Sequence, residues 1–356
     1  MYSDTVYAFL SPNQPGPRLA MTPMPSGSPT YVSTKGDFFQ WVEDEKQNLI
    51  KSGRKWFGDV FSFTNAYSYP FSLGAFTPGD SVAFRVATAA RCVGCSSNFS
   101  FSANGIPAGS TTLGQVSSNY AGNYITENTF SSKIQVNSAN LTIQVTRTSP
   151  QSGSEDQRAW LDFVSIHYRP TLQFNGQPFV FQDYLAQGLA EYRILNTSQS
   201  MQVWRVDDMA NVQVLSPAVG SGFSYLRVPN SEGGKYAVFG APASLPTPFY
   251  FGQVPNQDLH ALVLSEPLPD LLVITHPSLV EPAQELADMH QIQDGMTVHL
   301  LTTQQIFNEY SSGAQDITAI RDFVRSYFQA RGDSIGPRYL MIYGSGSFDY
   351  LPHRNR

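Results

Sequence analysis

Few residues in this chain are typed and spaced for chemistry. The two cysteines, Cys92 and Cys95, lie as Cys-Val-Gly-Cys in RCVGCSSN. A CxxC is half of a zinc site or a redox pair in some contexts. Here no second CxxC or HxxxH accompanies it, and no helix start follows to lower a thiol pKa. A loop disulfide and two free thiols both remain open. His276 directly follows the apolar run DLLVIT, and Ser345, Ser347 and Asp349 follow RYLMIY in the loop GSGSFDY. That loop lacks the P-loop lysine and the GxGxxG pattern, so it is read as a cleft wall and not as a phosphate cradle. Arg54 and Lys55 beside Trp56 suggest a cationic recognition patch. The plainer alternative is a loop whose aromatics fill a core while Arg54 pairs with an acid. Val206-Asp207-Asp208 offers two carboxylates toward calcium and nothing more, so no cofactor or metal is expected.

The elements that must position these residues differ along the chain. After residue 260 the pattern is strand–helix–strand–helix–strand. DLLVIT (270–275) reads as a strand buried on both faces. Ser278 with Glu281 predicts a capping box, and Gly295 ends that helix. TVHLL (297–301) is the next strand, and IFNEYSSG (306–313) a short helix or turn. Asp316 caps a long helix ended by Gly332, and RYLMIY (338–343) is the third strand. Such a pattern implies a parallel, doubly wound sheet whose ligands bind beyond the strands' carboxyl ends. His276, Thr302-Thr303 and the Gly344–Tyr350 loop then share one edge. His290 and His299 fall on a helix face and a strand, where structural roles dominate.

Residues 60–187 have a β texture. VAFRVAT, FSFSA, ITENTF, KIQVNS and LTIQVTR are short alternating runs between Gly, Asn and Ser turns, as in a sandwich or jelly roll. AWLDFVSIHYR (159–169) is the longest. Residues 37–51, DFFQWVEDEKQNLIK, are read as a helix, because Phe38, Trp41, Val42, Glu45 and Leu49 fall near one face. The predicted organisation is an arm or linker at 1–35, a jelly-roll-like β domain with this early helix at 36–187, a small β domain and connector at 188–255, and a partial parallel α/β domain at 256–356. Exposed aromatics on the β domain would suit sugar, though such stripes more often fill cores.

Composition narrows the functional classes. Charged residues are 14% and aromatics 13%, with 18 Tyr and 24 Phe, a texture of secreted or surface β-proteins. The formal net charge of −6 argues against nucleic acid, which needs a basic footprint. No run of 18 uncharged apolar residues exists, so no membrane-spanning helix is expected. MYSDTVYAFLSPNQPGP lacks a basic n-region and a long apolar core, so it is not an intact signal peptide.

The segments PNQDLHAL, DLLVITHPSLVEPAQELADMH, TQQIFNEYSSGAQDITAIRDFV and RYLMIYGSGSFDY resemble the opening of a gingipain-type (C25) cysteine peptidase domain. SGRKWFGD, WLDFVSIHYRPTLQF, EYRILNTSQSMQVWRVDD and KYAVFGA extend the resemblance over roughly 35–356, toward the sortase-like branch that serves the Bacteroidetes type IX secretion system. It implies a gingipain/caspase-like α/β domain and a place on the outer face of the outer membrane. The implied activity is removal of C-terminal sorting domains from cargo by a Cys–His pair, with transfer of the cargo to lipopolysaccharide. The implied partners are a PorV-like outer-membrane barrel, other type IX surface subunits and cargo sorting domains. The family's His and Cys lie downstream of the GSGSFDY match, so this chain is expected to be inactive alone. Where the family has Gly-Asp-Gly, the chain has Gly344-Ser345-Gly346. A non-catalytic binding or scaffolding module is the alternative.

Overall fold

Period-two burial organises the larger part of the molecule. The computed structural model describes residues 6–11, 19, 21–51, 53, 55–150, 155–195, 201–229, 233–240, 245, 247–332 and 336–347. The chain divides into one unit of residues 16–49 and 55–248 and another of residues 1–15, 50–54 and 249–356.

Among its described residues the first unit is built of β-strands. Its strands begin with β1 (Met21–Thr22), β2 (Tyr31–Ser33), β3 (Phe38–Glu43), β4 (Gln47–Asn48), β5 (Trp56–Phe57), β6 (Val60–Phe61), β7 (Ala66–Ser72) and β8 (Ser81–Cys92). Next come β9 (Ser97–Ala103), β10 (Ile106–Leu113), β11 (Thr126–Gln135), β12 (Asn140–Ser149), β13 (Gln157–Tyr168) and β14 (Phe179–Gln182). The series closes with β15 (Leu189–Leu195), β16 (Gln202–Arg205), β17 (Gln213–Leu215), β18 (Ala218–Val219), β19 (Phe223–Pro229) and β20 (Lys235–Phe239).

A first sandwich stacks the sheet β10-β9-β12-β7 on β11-β8-β13-β3. Alternate residues such as Phe99, Phe101, Leu141, Ile143, Val145, Val82, Phe84 and Val86 meet in its core, which is why each strand reads apolar-in, polar-out. The runs ITENTF and KIQVNS are largely one strand, β11, along β8. The helix expected at 37–51 does not form. Phe38–Glu43 alternates in burial and pairs with β13 as an edge strand. Phe38, Trp41 and Val42 satisfy helical spacing too, but these β-favouring residues find a ready partner in the long strand β13, and that pairing decides. Cys92 and Cys95 form a disulfide across the β8–β9 turn.

A second sandwich stacks β1-β17-β16-β20-β14 on β18-β19-β15-β2, around Phe181, Tyr192, Ile194, Val203, Leu226, Tyr236 and Val238. Its composition corrects two expected boundaries. The segment read as an arm supplies β1, parallel to β17, and β2, parallel to β15. Phe179–Gln182, assigned to the jelly roll, pairs with β20 instead.

The other unit holds α1 (Leu259–Leu264), β21 (Leu271–Thr275), α2 (Val280–Asp294), β22 (Val298–Thr302), α3 (Thr303–Tyr310), α4 (Ile317–Arg331) and β23 (Tyr339–Tyr343). Its sheet is parallel in the order β22-β21-β23. All of β21 is buried, because each of its faces is covered. Leu271 and Val273 meet Ala283 and Ala287 of α2. Leu272 and Ile274 meet α1, Ile306 of α3 and Phe323 and Tyr327 of α4. The capping box expected at Ser278 and Glu281 is absent. A 3₁₀ turn, Pro277–Leu279, precedes α2, and the His276 side chain caps that turn by accepting from the Ser278 N–H. Asp316 caps α4 as expected, and Gly295 ends α2 with φ +64°.

Candidate functional site

The carboxyl ends of β21, β22 and β23 fall side by side, with Thr275 opposite both Thr302 and Tyr343. The Thr275 hydroxyl, almost wholly buried, donates to the Tyr343 carbonyl at 3.0 Å. It ties the first strand's end to the third's. Gly344 follows at φ +139°, a conformation that L side chains rarely adopt. The sharp exit after β23 therefore needs glycine.

His276 and Ser345 are exposed at this edge, as is Ser347. His276 Nδ1 lies 3.2 Å from the Ser278 N–H that it accepts and 2.8 Å from the Ser278 hydroxyl. That acceptance puts the proton of the neutral ring on Nε2. The ring is thereby oriented by its own 3₁₀ turn. Asp349 lies outside the described residues. The edge thus carries one oriented imidazole and small hydroxyls. Both cysteines of the sequence are joined in the disulfide of the β8–β9 turn, away from this edge in the chain.

The expected patch at Arg54, Lys55 and Trp56 is different in kind. Trp56 is buried in β5 at 5% exposure. Lys55 is paired with Glu127 at 2.5 Å and Asp162 at 2.9 Å, and Arg54 lies outside the described residues. Burial works against the Lys55 charge, but those two carboxylates outweigh it and raise the pKa. Asp207 and Asp208 do not form a calcium cup. Asp207 binds Arg205 at 2.7 Å, while Asp208 accepts from the Ala210 N–H and the Asn211 amide of its own turn.

Two arrangements escaped the sequence reading. In the β unit, Asp37 sits 2.7 Å from His167 Nε2 and 2.5 Å from Arg169, which also reaches Asp183 at 2.9 Å. Burial pushes Asp37 up, but hydrogen bonds from His167 and the Tyr184 N–H, with the Arg169 charge, hold it below the usual carboxylate range. In the other unit, Asp258, His260 and Glu309 bring ligand atoms within 4.8 Å of one another. Glu309 already accepts from the Leu259 N–H and the Gln257 amide at the start of α1, so its first role is that of a cap. Neither cluster has a sequence motif, because each joins residues from separate strands or helices.

Residues 265–355 match the family model of peptidase family C25. Over 94% of its length the chain has the fold of dimeric latent PorU from Porphyromonas gingivalis, with a TM-score of 0.78 and 22% identity. It covers 32% of that chain, so it spans about a third of PorU. The CBM36-1 domain of a multidomain xylanase from the hindgut metagenome of Trinervitermes trinervoides aligns at a TM-score of only 0.23 and 13% identity, over 36% of this chain and 95% of that one. No curated protein matches the sequence.

Proposed function

We propose, for a chain whose residues 265–355 are of peptidase family C25 and whose fold is that of part of PorU, that it serves as the non-catalytic part of a cell-surface cysteine peptidase and sortase. The complete protein would remove C-terminal sorting domains from type IX secretion cargo and attach the cargo to surface lipopolysaccharide. Its thiol and partner histidine would be supplied from outside these residues. The observation that carries the reading is the parallel sheet β22-β21-β23 within the C25 match. Its carboxyl edge holds an oriented histidine, and no free thiol exists in the chain. Among the described residues no helix is long and apolar enough to cross a membrane. The Cys92–Cys95 disulfide fits an oxidising, extracytoplasmic setting. A PorV-like barrel, other surface subunits and cargo sorting domains are the proposed partners.

A second reading, a scaffold that keeps the C25 fold without any peptidase, rests on the same lack of a thiol. The two part in a peptidase assay on a sorting-domain fusion. The 356-residue chain should give no turnover. A longer polypeptide from the same gene should turn over and be silenced by a thiol alkylator. Turnover by the short chain after Cys92→Ser and Cys95→Ser would overturn the first reading; an inert longer polypeptide would establish the second.

A further inference from the structure

The outer face of the sheet β11-β8-β13-β3 is built unlike its core face. Side chains on it line up in rows that the strand register fixes. One row runs Lys133, Ala83, His167, Phe39; the next runs Ser131, Arg85, Ser165, Trp41; the third runs Thr129, Ala87, Phe163, Glu43. Rings stand on the β13–β3 side, where Glu43 ends the third row with a carboxylate; cations stand on the β11–β8 side, and short residues lie between them. Trp41 is 66% exposed and Phe39 47%. Phe39 is not loose: it stacks on His167 at 4.6 Å between ring centroids, and buried Asp37 holds that imidazole through Nε2. The Phe39 ring is therefore fixed before anything binds, which lowers the cost of ordering on association.

The charges on this face are also open. Among the described residues neither Lys133 nor Arg85 has a carboxylate within 4.0 Å, whereas Lys35 is matched by Asp80 and Arg169 by Asp37 and Asp183. Arg85 lies over the Phe163 ring at 5.9 Å. Lys133 borders a cavity of about 340 Å³ that His167 and Arg169 also line. Exposed aromatic planes beside unmatched cations select a ligand with flat apolar faces and negative substituents. A pyranose ring presents a face of C–H groups, and a uronic acid adds the carboxylate. A peptide added along the β3 edge would use backbone hydrogen bonds and need no ring faces. A lipid surface would favour a continuous apolar tip, and Ser165 and Ser131 interrupt this one.

We propose that this sheet face binds an anionic oligosaccharide, its rings stacked on Trp41 and Phe39 and its carboxylates met by Arg85 and Lys133. This inference stands independently of the peptidase reading. The test uses the full 356-residue chain in affinity electrophoresis and calorimetry with oligogalacturonate, neutral dextran and poly-glutamate at 150 mM salt. Retention by oligogalacturonate alone is expected. Trp41→Ala should weaken it at least tenfold, as should Arg85→Ala with Lys133→Ala. Tyr250→Ala, in the other unit, should leave it unchanged. Circular dichroism checks the fold of each variant; should Trp41→Ala not fold, the Arg85 and Lys133 variant and Trp41 fluorescence quenching by the saccharide decide. No retention of oligogalacturonate, equal retention of poly-glutamate or of dextran, or binding untouched by the variants would overturn the proposal.

Discussion

Three buried charged side chains show how the β unit balances burial against pairing. Asp37 is 3% exposed, and His167, Arg169 and the Tyr184 N–H surround its carboxylate. Its pKa lies below the usual value, so its contribution to stability is present above the unfolded carboxylate value and is lost as pH falls through the folded one. Glu191 behaves alike: burial opposes its charge, but Arg227 and Arg193 prevail. The melting temperature of the chain should therefore fall as pH drops from about 5 toward 3, and Asp37→Asn should flatten that dependence. At neutral pH the same variant should cost about 3–5 kcal/mol, because it breaks a buried pair from one side. A urea titration measures it; a loss within error of zero would mean the network is ornamental. Arg147 is the contrasting case. It is fully buried with no carboxylate paired to it among the described residues, and burial lowers its pKa to about 10. Its guanidinium donates to the Phe61 and Gln157 carbonyls and to the Ser97 hydroxyl, cross-linking the two sheets of the sandwich. Arg147→Met keeps the length and removes the donors, and should cost at least about 1–3 kcal/mol for stranded acceptors; unchanged stability in urea would show that water replaces them.

At the scale of elements, caps fix where the α/β loops begin. Thr302 and Gln305 form a reciprocal capping box at the start of α3, directly after β22 and on the candidate edge. Thr302→Ala should cost about 1 kcal/mol in chemical denaturation, and Thr302→Ser should recover most of it; equal losses would mean that the methyl, not the hydroxyl, matters. This box was legible in principle, as Thr-x-x-Gln before Ile306, yet Ser278 with Glu281 offered the same pattern and did not form. The difference is Pro277, which favours the short turn that His276 caps, leaving α2 to start at Val280. The strand–helix alternation after residue 260 was readable because its buried strands are continuous apolar runs such as Leu271–Thr275. Within the β unit, alternation gave the long strands. It failed at Phe38–Glu43, where six residues satisfy both periods and only the partner strand decides. The short strands β1 and β2 were beyond reach, since two or three residues carry no period and their pairing partners lie more than 150 residues away. His276, Ser345 and Ser347 could be assigned to one edge because each directly follows a strand; the Asp37–His167–Arg169 network could not be foreseen, because nothing in sequence joins residues 130 or more positions apart.

For the molecule as a whole, the division into two units assigns each its own holding forces. The β unit has two sandwich cores and the disulfide, and the residues matching family C25 lie in the other unit. Cys92 is fully buried, so alkylation without reductant should label no cysteine, and reduction under denaturing conditions should expose two per chain. The bridge spans a sequence separation of three. A loop that short restrains the unfolded chain little, so Cys92→Ser with Cys95→Ser should destabilise by about 2 kcal/mol or less. The loss should appear in the β unit alone: hydrogen exchange should speed up in β8, β9 and β13 while β21 keeps its protection. Faster exchange in β21 would mean that the two units unfold as one cooperative body. Reduction should also confer no peptidase activity, because the thiols it frees belong to a sandwich turn. They lie in the β unit, whereas the peptidase reading takes its thiol and partner histidine from outside these residues.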